Sequence, residues 1–294
     1  MLSNSYKHFK SKTKDERQDE ISSILKSLEN GVRDVFDSDN YKKYLAFCGK
    51  FHNYSFNNSL LILMQFPHAQ KCASYATWKS LKMPVKRGEK GIKILYPVPY
   101  SYVKKYEQNE IDQENEAINK SLVINGIRFR VGHVFDISQV LGTMPSLANE
   151  LTDNPDYLND VIDKLVKNSP TPVIFDQNLK KEDCNGYYDI NARIIALRTN
   201  MSSLQTIKTL IHEVAHSLMH VNNELFTRYE EEVQAESTAF VVCSALGLDT
   251  SEYSFEYVAS WSSSMEVKEL KTSLTIIETA SKEILSWIEG LDLD

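Results

Sequence analysis

The run Leu210-Ile211-His212-Glu213-Val214-Ala215-His216-Ser217-Leu218 sets His212 and His216 four residues apart. On a helix they stack one turn apart on one face, where both can reach a single ion. Glu213 stands beside them and can polarise a water bound to that ion. This is the H-E-x-x-H arrangement of zinc hydrolases. Leu210, Ile211, Val214, Ala215 and Leu218 make the helix largely apolar, as a helix buried behind its metal must be. One Zn2+ is therefore the expected cofactor, with His212 and His216 as ligands and Glu213 as the catalytic base.

Such a site needs a third protein ligand and keeps a fourth position for water. Residues 230–246 offer a downstream helix on which Glu232 and Glu236 share a face. One can bind metal while the other orients a ligand histidine. In the E-x-x-x-acid pattern of glutamate-liganded zincins the first glutamate is the ligand, which assigns Glu232 to the metal and Glu236 to its support. Glu230 and Glu231 read as a solvated helix start favoured by the helix dipole. An oxyanion donor is also required, and His220, Tyr187, Tyr188, Tyr253 and Tyr257 are the candidates.

Upstream of the motif, strands are expected at 172–175, 186–190 and 193–197, the last two joined at Asn191-Ala192. The strand Ile194-Ile195-Ala196-Leu197 is expected to lie nearest the metal, where an extended peptide could add to it. A helix over 156–167 precedes these strands, and Gly142, Pro145, Asn154 and Pro155 mark a linker before it. At the far end Val267, Leu270, Leu274, Ile277, Ala280, Ile284, Leu285 and Ile288 recur at helical spacing, as a packing helix requires.

The first part of the chain reads as helices over 15–36, 40–51, 54–66 and 74–82, the third stopped by Pro67 and the fourth by Pro84. A glycine-punctuated basic turn, Lys86-Arg87-Gly88-Glu89-Lys90-Gly91, leads into a strand at 92–96. Asn125-Gly126, flanked by Leu122-Val123-Ile124 and Ile127-Arg128-Phe129-Arg130, predicts a two-residue hairpin. Residues 104–120 are charged and uneven and read as a mobile insertion. The fold class is thus α+β in two domains. Residues 1–142 form a helical domain with a small antiparallel sheet, and residues 156–294 form a zincin-like metallopeptidase domain.

Composition agrees with a globular chain of 294 residues, 42% hydrophobic and 25% charged. The four cysteines, Cys48, Cys72, Cys184 and Cys243, form no C-x-x-C pair, which points to a reducing, cytoplasmic compartment. Residues 1–17 are polar and carry no signal-peptide core, and no apolar run is long enough to span a bilayer, so no membrane partner is expected. Net charge is −7 but uneven: residues 1–100 carry 17 Lys+Arg against 9 Asp+Glu, and the rest carry 16 against 31. The basic part is the candidate for a polyanionic partner. Single-strand binding needs cations for phosphates and aromatics for bases. Tyr75, Trp78, Lys79, Lys86, Arg87, Lys90 and Lys93 supply both within about twenty residues.

Two stretches resemble a known family. Phe56-Asn57-Asn58, Ala76-Thr77-Trp78, Lys86 through Ile94, and Val134-Phe135-Asp136-Ile137-Ser138-Gln139 resemble the N-terminal domain of ArdC-type antirestriction proteins. Residues 186–246, with Tyr257-Val258-Ala259-Ser260-Trp261, resemble the metallopeptidase-like domain of the same proteins. That domain is similar to the ImmA/IrrE peptidases, whose E-x-x-A-acid pattern reads here as Glu232-Val233-Gln234-Ala235-Glu236. The resemblance implies a protein of a mobile element or phage that binds single-stranded DNA and carries a zinc metallopeptidase-like domain. A regulatory protease cleaving a repressor, and a metal-stabilised DNA-binding module without catalysis, are the alternatives. The intact Glu213 argues against the last, since a purely structural metal needs no base.

Overall fold

The structure, a computed structural model, describes residues 12–105, 121–142, 155–177, 179, 184–220, 226–256 and 258–291. The chain begins with three helices, α1 (Lys14–Val35), α2 (Ser38–Lys50) and α3 (Phe56–Gln65). Thr13 and Glu16 close a reciprocal capping box at the start of α1. A short strand β1 (Cys72–Ser74) and helix α4 (Tyr75–Ser80) then lead to two long strands, β2 (Ile92–Lys105) and β3 (Ser121–Asp136). Both neighbours pair antiparallel to β3, in the order β1-β3-β2.

The expected hairpin at Asn125-Gly126 is not there. Both residues lie inside β3, opposite Ser101 and Tyr100 of β2. Gly126 has no positive φ; it serves instead to admit an aromatic ring. A Cβ there would sit 2.6 Å from Cζ of Tyr100, so the glycine lets that ring cross the backbone. The two strands are correspondingly longer than the expected short sheet. Lys104 and Lys105 are strand residues, and 106–120 of the expected insertion lie outside the described residues. β2 is an edge strand and tolerates Pro97 and Pro99 for that reason.

Part of its open edge is closed by α3. Nδ2 of Asn58 donates to the Leu95 carbonyl (2.8 Å) while its Oδ1 accepts the Leu95 N–H (2.9 Å). Gln65 repeats the pattern on Lys93, at 2.8 and 3.0 Å. Two side-chain amides thus stand in for a missing neighbour strand.

The second part contains α5 (Pro155–Lys167), strands β4 (Val173–Asp176), β5 (Gly186–Asp189) and β6 (Ile194–Arg198), then α6 (Ser203–Met219), α7 (Arg228–Ala245), the short α8 (Val258–Ser262) and α9 (Val267–Glu289). The expected linker from 143 to 154 lies outside the described residues. The sheet order is β4-β6-β5, with β4 parallel and β5 antiparallel to β6. β6 is therefore central and paired on both sides. It cannot accept an added peptide strand, contrary to the expectation for Ile194–Leu197.

One apolar cluster runs through both parts of the chain. Leu28, Val32, Leu45 and Leu60 of the first three helices pack in it with Leu210, Val214, Phe240, Leu274 and Ile284. α2 lies directly against α7. A Cβ on Gly49 would stand 2.9 Å from the Val241 carbonyl, and the buried Tyr41 hydroxyl meets Ser237 Oγ at 2.8 Å. Small residues Ala235, Ser237 and Ala239, all fully buried, permit that close approach. Among the described residues no helix is long and apolar enough to cross a membrane.

Candidate metal centre

α6 and α7 present the site between them. Ser202 caps α6 by accepting the Gln205 N–H, and Thr227 caps α7 in a box with Glu230, which is thus a capping residue as well as a solvated acid. His212 and His216 bring their Nε2 atoms to 3.1 Å from each other. Oε2 of Glu232 lies 3.6 Å from the first and 3.7 Å from the second. One ligand atom from each of the three falls within 4.8 Å of the others. Ligands at about 2.05 Å around a tetrahedral zinc stand roughly 3.3 Å apart, so the triangle has the size a divalent cation needs.

The groups behind these ligands orient them. Nδ1 of His212 is 3.2 Å from Oε2 of Glu236, so it donates there and Nε2 is the atom that would give its lone pair to an ion at the centre of the triangle. On the other side the arrangement is longer. His220 donates from Nε2 to Oε1 of Gln234 (3.1 Å), which leaves its Nδ1 to accept from Nδ1 of His216 at 3.0 Å. His216 then also presents a lone pair at Nε2. His220 is buried and held to about 4 by that burial, so it stays neutral in this relay. It is a support of His216 and not an oxyanion donor, as its place in the sequence alone allowed. Gln234 carries no sequence signal of its own; its i+2 position from Glu232 conceals that it reaches past it to His220.

The electrostatics are those of a cation site. The two histidines facing it hold the Glu232 carboxyl well below the usual carboxylate range. Burial works against charge on His212, yet contacts with Glu232 and Glu236 and the charge of Glu213 raise it to about 10. Glu213 is buried, and desolvation pushes its carboxyl up against the pull of the two histidines. It also accepts the N–H of Tyr188 on β5, whose outer edge borders the cleft.

That cleft holds about 1260 Å³ and is lined by Tyr187, Lys208, Arg228 and Glu252 besides the ligands. Tyr187 is exposed there, whereas the Tyr253 hydroxyl is engaged with Cys243 inside the core. Tyr257 lies outside the described residues. Lys208, one turn before His212, is buried to 5% with Nζ 3.4 Å from Glu252 and over the Tyr253 ring. Sequence reading passed it over, although its i−4 spacing from His212 was visible.

The residues expected to touch nucleic acid are scattered in their exposure. Lys79, Lys86, Arg87 and Lys90 are exposed, as is Tyr75 at 55%. Lys86 folds back to donate to the Ser138 carbonyl, and Lys93 pairs with Glu20 at 2.7 Å. Trp78 does not fit the expectation. It is wholly buried, with its indole N–H on the Phe135 carbonyl at 2.7 Å, so no base can stack on it.

An HExxH helix, a glutamate helix behind it and a small sheet over the cleft define a metallopeptidase-like module. Residues 170–270 match the family model described as the IrrE N-terminal-like domain of the M78 peptidases. Residues 14–135 match that of the N-terminal domain of anti-restriction factor ArdC. The chain thus pairs an ArdC-type N-terminal domain with an IrrE-like peptidase domain. It is 28% identical to the uncharacterized protein pXO2-81 of Bacillus anthracis, over 95% of this chain but only 53% of that one, so it spans about half the length of that relative. Among solved structures it is similar to the antirestriction protein ArdC of plasmid R388. For the metal-free form the identity is 21% over 80% of this chain and 83% of that one, with a TM-score of 0.44. For the Mn(II)-bound form it is 19% over 80% and 84%, with a TM-score of 0.47.

Proposed function

We propose that this chain is an antirestriction protein of a mobile element or phage, binding single-stranded DNA through its N-terminal domain and carrying a zinc peptidase in its C-terminal one. The observation that carries this reading is the pairing of an ArdC N-terminal domain with three metal-sized donors and an adjacent buried carboxylate. Lys79, Lys86, Arg87 and Lys90 supply phosphate contacts around the basic turn, with Tyr75 beside them.

In the peptidase, His212, His216 and Glu232 would hold Zn2+, with Glu236 and the His220–Gln234 relay fixing the rings. The ion would supply Lewis acidity toward a carbonyl and acidify a water. Glu213 takes the proton of the attacking water at its carboxylate and delivers it to the departing amine. Its burial favours that role, because desolvation raises the carboxyl and makes it a better proton acceptor than a solvated carboxylate. Tyr187, exposed on β5 at the cleft, is the candidate donor to the scissile carbonyl oxygen.

The match to the IrrE-like domain favours a second reading, a regulatory protease whose substrate is a repressor. The deciding experiment is a salt titration of binding to a labelled single-stranded oligonucleotide, with duplex of the same sequence alongside. Preferential single-strand binding that weakens linearly in log salt is the expected result. No binding at low salt removes the DNA-protecting reading and leaves the protease.

A further inference from the structure

We infer that the outer half of the β2–β3 ribbon is a base-stacking platform for single-stranded nucleic acid, built from Tyr96, Tyr100 and Tyr102 with Arg128 and Arg130. The inference rests on the single-strand reading above and gives it a place that neither the basic turn nor Trp78 supplies.

Register puts these five side chains on one face. Directly opposed residues of antiparallel strands share a face, and alternate residues of each strand return to it. Tyr96 is opposite Arg130, Val98 opposite Arg128, Tyr100 opposite Gly126 and Tyr102 opposite Ile124. Aromatic and cationic positions therefore interleave along the ribbon.

The tyrosines are exposed at 41, 41 and 50%. The rings of Tyr100 and Tyr102 are stacked, 6.2 Å between centroids and within 10° of parallel. Gly126 and Gly132 leave gaps in β3 over which the rings of Tyr100 and Tyr96 lie. Among the described residues neither arginine has an ion-pair partner, and both are exposed.

Beyond Leu95, the last residue of β2 that the core takes up, no described residue of the ribbon from 96 to 102 or from 124 to 130 is buried. A bare two-stranded ribbon is marginal in water, and this one holds its aromatics out in solvent. The opposite face carries Pro97, Pro99, Ile127 and Phe129 and no cation in that stretch, so a polyanion selects the tyrosine face. Its tyrosines also select single strands, since a duplex hides the faces of its bases. From Tyr96 to Tyr102 the ribbon runs about 20 Å. That length suits a footprint of about 4 nucleotides, the small end of such platforms.

The test measures binding of the full-length protein to dT and rU oligomers of equal length across a salt series. Against wild type stand Tyr100→Ala with Tyr102→Ala, Tyr100→Phe with Tyr102→Phe, and Arg128→Gln with Arg130→Gln. The alanine pair is expected to weaken binding about 10- to 100-fold, the phenylalanine pair to restore it, and the glutamine pair to lower the log–log salt slope by about 1.4. Comparison of dT with rU decides between DNA and RNA as the strand recognised. On wild type, photo-cross-linking of a bromodeoxyuridine oligomer is expected to mark the peptide containing residues 96–102, a readout independent of whether variants fold. Wild-type binding with every variant unchanged, or adducts confined to Tyr75 and the basic turn, overturns the ribbon and leaves the single-strand reading standing. Failure of wild type to bind overturns both.

Discussion

Glu213 and the two histidines beside it are the residues on which the proposed chemistry turns, and they were readable because the constraint is local. An i, i+4 pair with an acid between needs only a helix to become a site. Glu213→Gln keeps the shape of the carboxylate and removes its basicity, so peptide turnover should fall by about 10²- to 10⁴-fold while bound zinc, measured by elemental analysis, stays at wild-type stoichiometry. The relay behind His216 was not readable, because it joins His220 at the end of α6 to Gln234 on α7, and only packing brings them to 3.1 Å. His220→Ala should weaken zinc about 10- to 100-fold in a competition titration with a chromogenic chelator, without touching any ligand. Unaltered zinc affinity would show that His216 needs no help to hold its tautomer. Trp78 was misread for the converse reason. Lysines surround it in sequence, but the pairing of β1 with β3, more than sixty residues apart, closes the pocket that swallows it.

At the scale of elements, the helices were largely legible though their caps went unread, and the strands other than β1 were legible in place but not in length. Periodicity reports which face is wet; a ribbon wet on both faces gives no alternation to read. Asn125-Gly126 shows the limit, since the same dipeptide that makes a turn also makes room for a ring. The segment after β3 explains itself only in three dimensions. Asp136, nearly fully buried, accepts N–H groups from Gln70 (2.7 Å), Lys71 (3.0 Å) and Ser138 (2.9 Å). Gln139 returns to the Asp136 N–H and also holds Glu89 and the Lys90 carbonyl, pinning the basic turn to the sheet. Burial opposes charge on Asp136, but these donors outweigh it and hold the carboxyl below its ordinary 3.8. Its stabilising contribution is therefore complete above that value and is lost as pH falls through the lower folded-state value. Asp136→Asn should lower Tm at pH 7, and the gap from wild type should narrow as pH falls below about 3.8. A constant gap across that range would mean the charge contributes nothing.

For the whole molecule, charge asymmetry and the two sets of motifs suggested two domains, and the residues that separate them lie outside the described ones. The apolar cluster shared by α1, α2, α3, α6, α7 and α9 belongs to neither side alone. Long-range burial of this kind leaves no mark in a sequence, because each helix shows only that it has an apolar stripe and not whose stripe it meets. Urea unfolding should accordingly be a single transition, with near-ultraviolet dichroism, far-ultraviolet dichroism and loss of bound zinc sharing one midpoint. Separate midpoints would show that the shared cluster does not couple the two parts.

The contact between Gly49 and the backbone of α7 reaches further than stability. A chain whose two parts match separate family models invites the exchange of one part for a relative's. Here a recombinant that took residues 1–142 from one relative and the remainder from another would inherit an α2 shaped for a different α7. Any side chain larger than hydrogen at position 49 would press on the helix that carries Glu232. An exchanged part would therefore be tested first at this glycine, where no side chain of the newcomer fits.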